Sequence, residues 1–403
     1  MHKLNSVSLK SICIYGGILR ILMLIAVAFF SEDLSSGLLG STLLNDDLRY
    51  LETAEMYSKS ANFIIDVSKF KFTLDTIESG YSHDAFTSLW DWIVCILYYI
   101  LRNEYLVKIV NILFAVVSVK CIYDICIIAF DKNVAKLASL LYAVLPYPII
   151  FSCFLYKDQF YTMITLLLFR VALKSAGHIR FKDIVWLSLL GIASMLTRTG
   201  LVVLVIGAVI MIIFKQGRYK FKSSTLFFAI PLAVFVLGYV ISFSTGSIER
   251  KMLRYVYEYE MYEKGSSSII DYFVIKSPFQ VYKYPLSLFF LLLQPLNLSL
   301  RFNCWMDLAG ILNIVSVPLV IGNMFYLLNY KIKKSYLFWL FHAFYFVTIV
   351  TSLGIVRHQY YLQPFMMIIF ALYLYNVRNR SFFYMSSIIM CLVFIASWFL
   401  QVM

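Results

Sequence analysis

The sequence predicts an all-α polytopic membrane protein, and three observations carry that reading. Hydrophobic residues fill 61% of the 403 positions and charged residues only 14%, against about 45–50% and about 25% in soluble domains. Apolar stretches approaching the roughly 20 residues that a bilayer-crossing helix needs recur along the whole chain. Lysines and arginines fall in short runs between those stretches, as they do in cytoplasmic loops.

The stretches lie at residues 11–30, 107–130, 137–154, 160–172, 184–196, 201–214, 225–242, 308–328, 336–353, 363–374 and 382–400, so roughly eleven spans are expected. Two further apolar stretches, 85–101 and 285–300, are interrupted, the first by Trp90, Asp91 and Trp92 and the second by Pro295. Tryptophans around a charge suit the membrane interface better than its centre. If 85–101 crossed fully, every later basic run would face outside, opposite the amino-terminal Lys3 and Lys10. Two juxtamembrane or re-entrant helices at 85–101 and 285–300 return Lys132 and Lys136, Lys174 to Lys182, Lys215 to Lys222, Lys331 to Lys334, and Arg378 with Arg380 to the cytoplasm. The first span is too long for a signal-peptide core and has no small-residue cleavage site, so it reads as a retained anchor with a cytoplasmic amino terminus.

Net charge is +13. Because the basic residues punctuate spans and form no continuous face, nucleic acid is not an expected partner; membrane lipids are. The seven cysteines are scattered, mostly within apolar runs and without metal-ligand spacing, and read as small core residues. No repeat, low-complexity tract or soluble domain is visible, so residues 1–403 read as one membrane domain. It has two sizeable extracytoplasmic loops, 31–107 and 243–284. No Walker loop, dinucleotide fingerprint, HExxH or nucleophile elbow occurs, which disfavours ATP-driven transport and proteolysis.

Twelve of the 22 Asp and Glu residues fall between Ser31 and Val107. An unpaired charge at mid-bilayer costs about 2.5 kcal/mol or more, so this chain keeps charge where it meets water, a partner or a substrate. The acidic loop is therefore the candidate reaction chamber. Within it, Asn45-Asp46-Asp47-Leu48-Arg49-Tyr50 is followed by Leu51, Ala54 and Tyr57 at helical spacing. Paired carboxylates suit deprotonation of an acceptor hydroxyl or the holding of a divalent cation such as Mg or Mn. The plainer alternative is that Asn45 or Asp46 caps a helix.

Three more constellations sit at expected outer boundaries. Lys157-Asp158 follows Pro146 and Pro148 where the third span ends; the pair is either functional or a snorkelling anchor with its counter-ion. Arg198, in Thr197-Arg198-Thr199-Gly200, runs against the positive-inside tendency and calls for an anionic partner, either a loop aspartate or, as favoured here, a phosphate. Arg357-His358-Gln359-Tyr360-Tyr361 precedes a proline-entered helix and suits either a lipid diphosphate or sugar, or an interfacial aromatic belt. Asp124 and His342 lie inside apolar stretches and read as inter-helical hydrogen-bond partners.

In order and placement these residues resemble the GT-C superfamily of polyprenyl-phosphate-sugar-dependent membrane glycosyltransferases, which includes the protein mannosyltransferases and the lipid A aminoarabinose transferase. Asp46 and Asp47 match the acidic motif of its first outside loop, and the Asp47 region with 85–101 matches its two juxtamembrane helices. Pro146 through Asp158 matches its Pro-containing third span with an acidic end, and Arg357 through Pro364 its late Arg-aromatic-Pro helix entry. The family's Asp-Glu is Asp-Asp here, and Tyr81-Ser82-His83-Asp84 replaces its basic-Pro-Pro element.

Asp46 and Asp47 are the expected catalytic residues, with Arg49, Lys157, Asp158, Arg198, Arg357, His358 and Tyr361 expected to bind substrate or phosphate. The resemblance implies a polyprenyl-phosphate-linked sugar as donor, a glycan or lipid-linked acceptor, and an extracytoplasmic active site. Richness in Phe, Tyr and Ile also resembles bacterial surface-polysaccharide proteins, including O-antigen polymerases, which use undecaprenyl-linked donors at the outer face of the inner membrane. Arg250 and Arg254 would serve a polymerase. A lipid-linked oligosaccharide flippase, the rival outside the enzymes, predicts charges along the spans and internal repeats, whereas here the charges gather at the outer rim.

Overall fold

The computed structural model describes residues 7–30, 38, 46–59, 61–69, 86–175, 180–198, 209, 282–283, 304–320, 360–376 and 392. The expected spans at 225–242 and 336–353, those at 201–214 and 382–400 apart from residues 209 and 392, the stretch 285–300, nearly all of the loop 243–284, and Arg357 with His358 lie outside the described residues.

Among the described residues there are helices and no strand: α1 Leu9–Phe29, α2 Asp46–Tyr57, α3 Leu89–Leu101, α4 Glu104–Ala129, α5 Lys132–Val144, α6 Pro146–Ser152, α7 Lys157–Ser175, α8 Phe181–Thr197, α9 Trp305–Leu312 and α10 Gln363–Asn376. Of these, α1 and α4 are each long and apolar enough to cross a membrane, and α5 with α6 makes a third, bent candidate. Ile14, Ile18 and Leu22 on α1 and Leu113 and Val117 on α4 stay exposed, as expected where lipid is the solvent.

Local chemistry sets the helix starts. Ser8 Oγ accepts the Ser11 N–H, and Asn103 Oδ1 accepts those of Tyr105 and Leu106. At the start of α3, Ser88 and Asp91 form a reciprocal capping box, and Thr87 donates to the same carboxylate from its N–H and its hydroxyl. Each cap satisfies N–H groups that a helix start leaves without intrahelical partners.

Two gaps between the expected stretches are narrower in the structure. Between 107–130 and 137–154 there is only a tight turn, because Asp131 Oδ1 accepts the N–H groups of Asn133 and Val134 and starts α5 at Lys132. Between 137–154 and 160–172, α7 already opens at Lys157, with Asp158 in its first turn, where the helix dipole favours a carboxylate.

The third expected span, 137–154, is not one helix. It breaks between α5 and α6, whose axes differ by 56°. Leu145 is extended, with φ −67° and ψ 138°, because Pro146 disfavours helical backbone in the residue before it. The proline has no N–H for the fourth carbonyl behind it, so the helix both bends and loses a bond.

Interior packing brings α4 against α5 and α7, α7 against α8, α10 against α5, and α1 against α4 and α5. Close approach of α1 to α5 depends on Gly16, where a Cβ would meet Ala143 Cβ at 3.0 Å and Arg20 Nη1 at 3.3 Å. Small residues allow this backbone proximity between membrane helices. Gly16→Leu is expected to destabilise the protein by about 1–3 kcal/mol through overpacking, read as a lower thermal midpoint in detergent. Gly191→Leu, where nothing lies within 4 Å, should leave that midpoint near wild type.

Polar contacts inside the bundle tie distant segments together. Arg170 Nε and Asp124 Oδ2 lie 2.6 Å apart across α7 and α4, so Asp124 is the inter-helical partner its sequence context suggested. Tyr360 donates to Gln159 Oε1 at 2.6 Å, Tyr142 to the same oxygen at 3.4 Å, and Gln159 Nε2 to Ser118 Oγ at 3.4 Å. The Tyr360 ring stacks on Phe151 at 4.0 Å between centroids. The segment that leads into α10 is thereby fixed against α4, α5, α6 and α7.

Candidate active site

Residues 153–156 join α6 to α7 and are buried throughout. A buried turn needs partners for its peptide groups, and here they come from surrounding helices. Asn111 Nδ2 of α4 donates to the Phe154 carbonyl at 2.6 Å, and Trp90 Nε1 of α3 to the Leu155 carbonyl at 2.6 Å. The Leu155 N–H donates to Asp47 Oδ1 of α2. Helices α2 and α3 therefore both grip one residue. Trp90, expected among interfacial tryptophans, is fully buried and stacks on Phe160 at 5.4 Å.

Asp47 is 2% exposed. Together with Glu104, Tyr105, Lys108, Leu155 and Trp305 it lines a cavity of about 110 Å³. The apolar side of α2 lies on α3, and Tyr57 meets Phe86, just ahead of α3, at 4.8 Å between ring centroids. That packing leaves Asp47, in the first turn of α2, at the cavity. Asp46 is the first residue of the helix, and its side chain lies outside the described residues.

Lys108 was not singled out by sequence reasoning. It is 7% exposed, with Nζ 3.7 Å from Glu104 Oε2 and 5.3 Å from the Tyr105 ring centre. The available signal was a lone lysine one helical turn after an acid, at the entry of an apolar stretch; a buried ionisable residue in such a place is a functional candidate.

Asp158 supplies the second part of the site. Its Oδ1 accepts from Nη1 of Arg198, 40 residues away at the C-terminal cap of α8. Both side chains are largely shielded, with 3% and 15% exposure. Arg198 thus has a carboxylate partner, and that partner comes from α7 rather than from the acidic loop. Beneath the pair Tyr161 is fully buried, and the Tyr361 ring meets it edge-on at 5.6 Å. Lys157, the first residue of α7, is half-buried.

Arg49 is turned to neighbouring elements: Nη2 is 3.7 Å from Asp91 Oδ1, and the guanidinium lies 4.7 Å over the Tyr50 ring centre. The structure therefore brings Asp47, Leu155, Asp158 and Arg198 to one end of the helices, with Tyr360 and Tyr361 packed just beneath. Among the described residues, no three His, Cys, Asp or Glu side chains gather as a metal site would require.

The buried turn after the proline break is thus held by α2, α3 and α4, beside the cavity that Asp47 lines and the Asp158–Arg198 pair. Residues 88–243 match the family model of dolichyl-phosphate-mannose-protein mannosyltransferases. The match supports a membrane glycosyltransferase of GT-C type. It begins at the Ser88 cap of α3 and includes Lys108, Lys157, Asp158 and Arg198, whereas Asp46, Asp47, Arg49, Trp305, Arg357, His358 and Tyr361 lie outside it. No curated protein and no solved structure gives a significant match.

Proposed function

We propose that this chain transfers a sugar from a polyprenyl-phosphate-linked donor to a glycan or lipid-linked acceptor on the extracytoplasmic face of a bacterial inner membrane, in surface-polysaccharide assembly. The observation that supports this best is the placement of Asp47, held on a cavity wall by Leu155 N–H, three residues before Asp158 and its partner Arg198.

The acceptor hydroxyl attacks the anomeric carbon of the donor sugar and gives its proton to Asp47 or Asp46. The bond from that carbon to the phosphate oxygen breaks, and the electron pair leaves with the polyprenyl phosphate. A positioned general base contributes about 10²–10⁴-fold. Arg198, Lys157 and Arg357 balance the charge developing on the leaving phosphate, preorganised help commonly worth about 3–4 kcal/mol per donor. Arg198 can serve while bonded to Asp158, because a guanidinium carries five N–H donors and a carboxylate engages at most two of them in a fork. Tyr360, three residues after Arg357 in sequence, bonds Gln159, the neighbour of Asp158. That anchorage supports including Arg357 and His358 in the same site.

The orientation follows from charge. Lys132, Lys136, Lys174 and Lys182 belong to the helix ends remote from the 153–156 turn, and basic ends favour the cytoplasm. A strain lacking this protein tests the proposal through mass spectrometry of its lipid-linked glycans and a gel of its surface glycan. A shifted ladder missing one sugar is expected. Single repeats would instead indicate a repeat-unit polymerase, and complete glycans trapped on the inner leaflet a flippase.

A further inference from the structure

Arg20 sits mid-way along α1, fully buried, and the transfer chemistry does not use it. Its Nη1 donates to the carbonyls of Gly16 at 2.9 Å and Ala143 at 3.0 Å, and its Nη2 to the Tyr142 carbonyl at 2.9 Å. Two of these acceptors belong to the last turn of α5. In an unbroken helix the Tyr142 carbonyl would receive the N–H of residue 146, which proline lacks, and the Ala143 carbonyl that of residue 147, which the bend after Leu145 carries away. One guanidinium fork thus replaces two of the three bonds lost at the break; the third, to the Val144 carbonyl, is lost because residue 148 is a second proline. The return contact is close by, since the Cys153 thiol lies 3.4 Å from the Arg20 carbonyl.

We infer that Arg20 is a positioning residue, which completes the C-terminal end of α5 and fixes the bend so that α6 delivers the 153–156 turn to Asp47 and Trp90. A side chain placed only to stabilise the bundle would not need to meet two carbonyls that lose their helical donors at the break. Gly16 fits this role as well, because any side chain there would crowd Arg20 Nη1 and Ala143 together. Arg20 acts on the site through Leu155 and never touches the reacting atoms.

The test uses the full-length protein in detergent, labelled with N-ethylmaleimide and read by mass spectrometry at Cys153 and, as an internal control, at the buried Cys126 of α4. Arg20→Met is expected to label Cys153 on the order of tenfold faster than wild type, as local opening at the bend would require, with Cys126 unchanged. Arg20→Lys, which keeps a cation and three donors, should fall between the two. Unchanged protection of Cys153 in Arg20→Met overturns the inference. So does parallel labelling of both cysteines in Arg20→Lys, which decides the matter if Arg20→Met fails to fold.

The triple variant Arg20→Met with Pro146→Ala and Pro148→Ala separates positioning from plain stability. The alanines restore the N–H groups at both proline positions and let the helix run on, so the thermal midpoint should recover while sugar transfer stays lost. Recovery of transfer together with stability would overturn the positioning role. This activity arm rests on the transferase reading, and the labelling arm does not. Faster Cys153 labelling in a protein whose wild type shows no transfer would refute that reading and leave the Arg20 inference standing.

Discussion

Asp47→Asn is expected to lower sugar transfer by about two orders of magnitude or more while leaving the protein folded. The amide keeps an oxygen for the Leu155 N–H that Asp47 Oδ1 accepts, and it nearly preserves shape, so α2 should stay docked on the 153–156 turn. What disappears is the capacity to take a proton. Asp46→Asn gives the contrast. If Asp46 only caps α2, the substitution is silent, since asparagine caps as well as aspartate. If both variants retain full glycan assembly in cells, neither aspartate is the base. Wild-type glycan from Asp47→Asn combined with loss from Asp46→Asn would move the base by one residue.

Arg198→Met should damage the protein more broadly. It removes the partner of Asp158, whose side chain is only 3% exposed, and breaking a buried ion pair from one side costs about 3–5 kcal/mol because the other charge remains buried. A fall in folded yield and thermal midpoint is expected, together with loss of transfer. Asp158→Asn should cost less stability, because an amide still accepts from the guanidinium. The exchanged pair Asp158→Arg with Arg198→Asp tests whether the cation is needed at one address. Part of the stability should return, and transfer should not, because the guanidinium then sits on α7. Full recovery of both would reduce the pair to a structural contact.

Much of this arrangement was legible in the sequence, for physical reasons. The helical spacing of Leu51, Ala54 and Tyr57 set the register of α2 and put its start at Asp46. The apolar context of Asp124 demanded a partner inside the bundle, and Arg170 is that partner. The proline after Leu145 causes the break in the third stretch, yet 137–154 reads in sequence as one span, and only coordinates give its 56° bend.

What stayed hidden depends on contacts far apart in the chain. Nothing in a local pattern tells Arg198 that its carboxylate lies 40 residues earlier. Nor does it tell Arg20 that its acceptors lie more than 120 residues ahead. The burial of Trp90 stayed hidden because composition reports polarity and not which side of α3 faces α7. Lys108 escaped notice inside an apolar stretch, where its partner Glu104 belonged to the preceding acidic loop.

The most direct measurement is the release of polyprenyl phosphate from a polyprenyl-phosphate sugar by the purified chain in liposomes, in the presence of an acceptor glycan. Wild type should release it, and Asp47→Asn and Arg198→Lys should each lower the rate on the order of a hundredfold. Release at wild-type rate from both variants, or none from the wild type with any sugar donor tried, would contradict a transfer site built from the start of α2 and the Asp158–Arg198 pair.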